Sequence, residues 1–201
     1  MNTVNFTGNS EIYFSTKLYK QVVKQSNPKE IGGYFEFKDS KNGQNLMSEF
    51  ANTCTMFLFQ AEEDQFMSHL APEWNHPDLA KKILEKKEQL LKNAKEPLTV
   101  FIRGGQSHKV NGDLRSFALF DRIATILDTP DVDLSIIWGK TKESFTDHMF
   151  ASSQGSKIIL SQERQLGRKT APKILNMSDL EDNYEIVEIN PKHKLIFDQI
   201  I

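Results

Sequence analysis

Thr53-Cys54-Thr55-Met56-Phe57-Leu58-Phe59, followed by Glu62-Glu63-Asp64 and then Gln65-Phe66-Met67-Ser68-His69-Leu70, is the stretch that decides the fold. The first segment is an apolar run of strand length, the acidic triplet interrupts it, and the second segment is again of strand length. Joined through the acidic turn, the two predict a hairpin. Antiparallel pairing sets the start of one strand beside the end of the other. Cys54 and His69 then become neighbours although 15 residues separate them.

Upstream, Tyr13 to Gln25 places Phe14, Leu18, Val22 and Val23 at near-helical spacing, after Ser10 and Glu11 as start signals and before Asn27-Pro28 as a stop. A first helix is expected there. Gly32-Gly33 leads into a short alternating strand, Tyr34 to Phe37, that ends in the turn-rich stretch Lys38 to Gln44, and Leu46 to Phe50 reads as another strand. Downstream, Pro77-Asp78 opens a long amphipathic helix through Leu79, Ile83, Leu84, Leu90 and Leu91, whose lysines form its wet side. A strand at Leu98 to Ile102 runs into Gly104-Gly105, a second strong helix spans Leu114 to Leu127, and Asp133 to Trp138 is a further strand. Phe145 to Ala151 and Lys157 to Leu160 resemble a hairpin. Ser161 to Pro172 is polar, the best candidate for a mobile linker, and Tyr184 to Ile189 with Leu195 to Ile201 suggests a C-terminal hairpin or edge pair around Asn190-Pro191. Strands outnumber helices in a mixed order. The expected class is α+β, a single-domain mixed β-sandwich with flanking helices over residues 1–201, with a core at about 30–160 and a C-terminal extension at 161–201.

The 201 residues, 38% of them hydrophobic, favour one domain with a substantial core, and fourteen Phe imply a well-filled interior. The 25 basic and 27 acidic residues nearly cancel, which argues against general attraction to nucleic acid or to an anionic membrane. No run of about 18 apolar residues occurs, so no transmembrane helix is expected. One cysteine forms no intramolecular disulfide and no Cys-rich zinc site, and Met1 to Ser10 lacks the apolar centre of a secretory signal. The expectation is a monomer of the producer's cytoplasm or, for an injected effector, of a host's.

A cysteine becomes a useful nucleophile when its thiolate is stabilised by a nearby imidazole or by backbone donors, and the same imidazole can protonate the leaving group. On chemistry alone, Cys54 as a small buried hydrophobe and His69 as an ordinary strand residue is the default reading, since lone cysteines are commonly core fillers. Other candidates score lower. His69, His76 and Asp78 faintly suggest a metal cluster, but the two histidines are seven residues apart, unlike the closely spaced pair of a JAMM metalloprotease. His108 reads as a loop histidine, Asp147-His148 as a surface pair, and Trp74 as a partner-contacting aromatic or a half-buried loop anchor. Arg103-Gly104-Gly105 is too short for a phosphate loop.

Asn52 to Phe59, then Phe66-Met67-Ser68-His69-Leu70-Ala71-Pro72, resembles the catalytic hairpin of CheD, the chemoreceptor glutamine deamidase, with a cysteine on an apolar strand and a histidine shortly before a proline. Val100 to Gly105 is similar to that family's strand ending in a double glycine. The Cys-His plan is shared with the cytotoxic necrotizing factor catalytic domain and the Burkholderia lethal factor. Thr53 stands where the family usually has a small Ser or Gly, and Ser48 stands where CheD and the lethal factor carry an active-centre threonine, six residues before the cysteine. The resemblance covers about Leu46 to Leu160 and implies a protein-glutamine deamidase. Cys54 would be the nucleophile, His69 the acid and base, and Ser48 the residue orienting His69 or touching the amide. It also implies no metal or cofactor and a protein substrate bearing an exposed glutamine, and a Cys54 that reacts with iodoacetamide no faster than a free thiol, unchanged by His69→Ala, would count against it. A catalytically inert binding module of the same fold is the rival expectation.

Overall fold

A computed structural model describes residues 11–31, 35–40, 44–61, 64–92, 94, 97–106, 115–139, 145–152, 157–164, 178, 184–188 and 194–197. Among them are two six-stranded mixed sheets and three α-helices. The strands are β1 (Glu11–Phe14), β2 (Lys29–Ile31), β3 (Phe35–Ser40), β4 (Leu46–Ala51), β5 (Thr55–Ala61), β6 (Asp64–Leu70), β7 (Leu98–Gln106), β8 (Val132–Gly139), β9 (Phe145–Ala151), β10 (Lys157–Arg164), β11 (Tyr184–Glu188) and β12 (Lys194–Phe197). The helices are α1 (Thr16–Ser26), α2 (Asp78–Leu91) and α3 (Arg115–Leu127). One sheet runs β12-β1-β10-β9-β4-β2 and the other β11-β8-β7-β5-β6-β3.

The decisive hairpin explains the layering. Every residue from Thr55 to Gln60 is buried, so β5 is covered on both faces, and this is why it reads as a continuous apolar run rather than an alternating one. Met56 and Leu58 face the first sheet, clustering with Met67, Phe101 and Ile137 against Leu46, Met149 and Leu160. Phe57 and Phe59 face the other way, meeting Phe66 at ring separations of 6.1 and 5.6 Å and packing with Leu79 and Ile83 of α2 and Leu119 and Ile123 of α3. On the far face of the first sheet, α1 covers Phe150 and Ile159 with Tyr19. Four layers result, helix on sheet on sheet on helices.

Several elements differ from expectation. The first helix begins later, where Ser15 caps it by accepting from the Leu18 N–H at 3.0 Å, and it ends at Asn27 in the left-handed region. Glu11–Phe14 is instead a strand, parallel to both β10 and β12, because tertiary pairing outweighs a helical spacing that Phe14 and Leu18 happen to satisfy. β3 runs on to Ser40 through the expected turn, and β10 continues to Arg164 into the expected linker. The last two strands are not a hairpin: β11 pairs antiparallel with β8 and β12 parallel with β1, one at the edge of each sheet. The lysine face of α2 is not uniformly wet, since Lys87 is buried and reaches Asp131 at 2.7 Å and Thr129 Oγ1 at 2.6 Å. The Gly32-Gly33 lead, His108 and the rest of the polar segment from 165 onward lie outside the described residues.

No described helix is long and apolar enough to cross a membrane.

Candidate functional site

The two sheets meet at a row of polar side chains in an apolar interlayer. β5 and β6 pair so that Met56 opposes His69 and Thr55 opposes Leu70. Cys54, in the turn just before β5, therefore falls on the same face as Met56 and diagonal to His69. The cysteine is not within the strand, as the sequence suggests, but one step outside it. It remains only 8% exposed, packed with Ala51 and Ala71 in the interlayer cluster.

Ser48 arrives from the opposite sheet. β4 carries it inward, paired with Met149 of β9, and its Oγ lies 2.8 Å from His69 Nδ1. The same oxygen donates to the Ile31 carbonyl at 3.4 Å. A hydroxyl has one proton to give. With that proton directed at Ile31, Ser48 Oγ accepts from Nδ1–H, the tautomer that leaves the Nε2 lone pair as the base a catalytic role would need. Nε2 is buried and has no hydrogen-bond partner among the described residues. At 1% exposure, burial alone pushes the imidazole down to about 4.

Burial also dominates at Cys54, pushing the thiol up to about 11. The charge of Glu73 adds to it, while the hydrogen-bonding Asn52 backbone acts in the opposite sense. Between about 4 and about 11 the resting pair is thus a neutral thiol beside a neutral imidazole, with no Cys54–His69 hydrogen bond. Near neutral pH the proton is held on the resting thiol. Desolvation is the reason.

The turn that presents Cys54 has a distorted base. The pairing of β4 with β9 slips between Ser48 and Ala51, and Phe50 there has φ 61°, a left-handed value that a bulky residue adopts at a cost of about 1–3 kcal/mol. Its ring is 66% exposed and meets His148 edge-on at 5.2 Å. The bulge turns the chain from the inward Ser48 to the inward Ala51, and so into the Cys54 turn.

Two further polar groups escape sequence reasoning. Arg103 opposes Met56 across β7 and lies on the same face as His69. It forms an ion pair with Asp147 of the other sheet, both side chains 1% exposed, and Gln162 Nε2 donates to the same carboxylate at 3.3 Å. Asp147 and His148 are therefore buried rather than a surface pair. On the opposite face His148 packs under α1 against Tyr19, whose hydroxyl donates to Glu49 at 2.9 Å. No local spacing signals these contacts, since their partners come from other strands. Trp74 proves to be a half-buried anchor, packed beside the outer cluster with Lys82 Nζ 5.1 Å above its ring.

Among the described residues no three of His, Cys, Asp and Glu are grouped as a metal would require, so His69, His76 and Asp78 are not assembled into a cluster. Comparisons of the sequence with protein-family models and with curated proteins find no match.

Proposed function

We propose that the chain is a cysteine-dependent protein-glutamine deamidase built on a CheD-like or necrotizing-factor-like sandwich. The observation that carries this reading is the buried His69. Its Nδ1 is bonded to Ser48, its Nε2 is unpartnered among the described residues, and it shares an inward face with the chain's single cysteine.

In the reaction, His69 Nε2 takes the Cys54 proton as the sulfur attacks the carboxamide carbon of a target glutamine. The carbonyl π electrons move to oxygen, where the backbone N–H of Cys54 would donate to the developing charge. Collapse expels ammonia, which carries off the proton from Nε2, and leaves a γ-glutamyl thioester. A water gives its proton to Nε2 and attacks the thioester, and the sulfur leaves and takes that proton back, releasing glutamate. Because the resting thiol is neutral, activation accompanies substrate binding: the docked amide fills the cleft, and the thiol proton passes to Nε2 as the new bond forms. The target is a folded protein with an exposed glutamine, a chemoreceptor or a host protein reached by a bacterial effector.

Ammonia release from glutamine-bearing proteins tests this. Wild type should release it, while Cys54→Ser and His69→Ala should not; equal release by all three removes the reading. The held-on thiol proton and the absent Cys54–His69 hydrogen bond favour the second reading, an inert binding module, and that module would release none.

A further inference from the structure

Glu73 is an exposed side chain in a single 3₁₀ turn, Pro72–Trp74, directly after β6. Register places this exposed side chain close to Cys54, where the mouth of a substrate cleft would be. Thr55 opposes Leu70, so the next step of the ladder sets Cys54 beside Ala71, and Glu73 follows two residues later. Cys54 and Ala71 belong to one packed cluster.

The turn is also held rigidly. The Trp74 N–H donates to the Ala71 carbonyl at 2.9 Å and the Asn75 N–H to that of Pro72 at 3.2 Å. Arg122 of α3 clamps the following residues, donating to Asn75 Oδ1 at 2.9 Å, the His76 carbonyl at 2.8 Å and the Pro77 carbonyl at 3.3 Å. Among the described residues the Glu73 carboxylate has neither a hydrogen bond nor an ion pair, and the nearby cation Lys82 lies instead over Trp74. Its charge is felt at the Cys54 sulfur, where it ranks second only to burial in holding the proton on.

We propose that Glu73 is a specificity-determining residue of the cleft, selecting a neutral carboxamide whose sequence neighbour in the target protein is lysine or arginine. A fixed anion at the mouth repels a carboxylate, so it disfavours glutamate, the product, and speeds its departure. It attracts a cation and, once paired with one, no longer opposes thiol ionisation. The substrate class rests on the deamidase reading, whereas the charge selection is a property of the mouth itself.

The experiment separates the two. Cys54 is the only cysteine, so alkanethiosulfonate reagents carrying a trimethylammonium or a sulfonate head report on it alone. The cation-to-anion rate ratio of the full chain should exceed that of Glu73→Gln by roughly ten-fold at low salt, and the excess should shrink in high salt. In parallel, ammonia release is compared between synthetic peptides with Lys or Glu beside the glutamine. Wild type should prefer the Lys peptide, and Glu73→Lys should reverse the preference. Equal reagent ratios in wild type and Glu73→Gln, or equal turnover of the two peptides, overturn the proposal. A retained reagent preference with no ammonia from either peptide places the failure in the deamidase reading, and the glutamine part of the proposal falls with it.

Discussion

Replacing Ser48 by alanine removes one oxygen and isolates one nitrogen. Ser48 is fully buried and His69 nearly so, and their bond is 2.8 Å long. Without it the Nδ1–H is left in the interlayer with nothing to receive it, at a cost of about 1–3 kcal/mol. The space vacated is that of a single hydroxyl oxygen, so a cavity adds little. Urea unfolding should show a loss of about 2 kcal/mol with an unchanged slope. Nitrogen-15 spectra of the imidazole should show Nδ1–H in the wild type and a shift toward Nε2–H in the variant, which disables the base. Where turnover is measurable, it should fall by at least about ten-fold. Ser48→Thr keeps the hydroxyl and should keep the tautomer, while its extra methyl in a filled site costs about 1–3 kcal/mol. Stability within about 0.5 kcal/mol of wild type for Ser48→Ala, with the tautomer unchanged, would refute the assignment.

Other predictions concern the same interlayer. His69 titrates at about 4 when folded against an ordinary 6.5, so the unfolded chain binds the extra proton between those values. Its contribution is present above 6.5 and is lost as pH falls toward 4, on the order of 3 kcal/mol, and denaturant midpoints of His69→Gln should lack that slope. At Cys54 the sign is opposite: the folded value of about 11 lies above the ordinary 9.0, so its contribution is present below 9 and disappears as pH rises to 11. Iodoacetamide alkylation of the folded chain should accordingly climb up to about pH 11 instead of levelling near 9. Asp147→Asn leaves the Arg103 guanidinium buried opposite a neutral group and should destabilise by about 3–5 kcal/mol, with Arg103→Met, Asp147→Leu together recovering much of it in thermal unfolding.

The sequence makes the hairpin and its consequence legible, because apolar runs, an acidic break and antiparallel geometry together require Cys54 and His69 to share a neighbourhood. Seven inner elements, from Leu46 to Leu70 and from Asp78 to Gly139, follow from periodicity for the same reason: each carries an apolar face that its own spacing reveals. What periodicity cannot reveal is long-range pairing. Glu11–Phe14 becomes a strand only because β10 and β12 flank it, and the last two strands separate into different sheets because their partners, β8 and β1, lie far upstream. The Arg103–Asp147 pair joins positions 44 residues apart and has no local signature. The upward shift of the Cys54 thiol has no local signature for a related reason: a residue's solvation is set by everything packed around it, and composition carries no record of it.

Site-resolved mass spectrometry of proteins exposed to the chain tests the central claim most directly. The account predicts a gain of about one dalton at particular glutamines, present with wild type and absent with both Cys54→Ser and His69→Ala. The same gain with either variant, or none with wild type across bacterial and host proteomes, would contradict it.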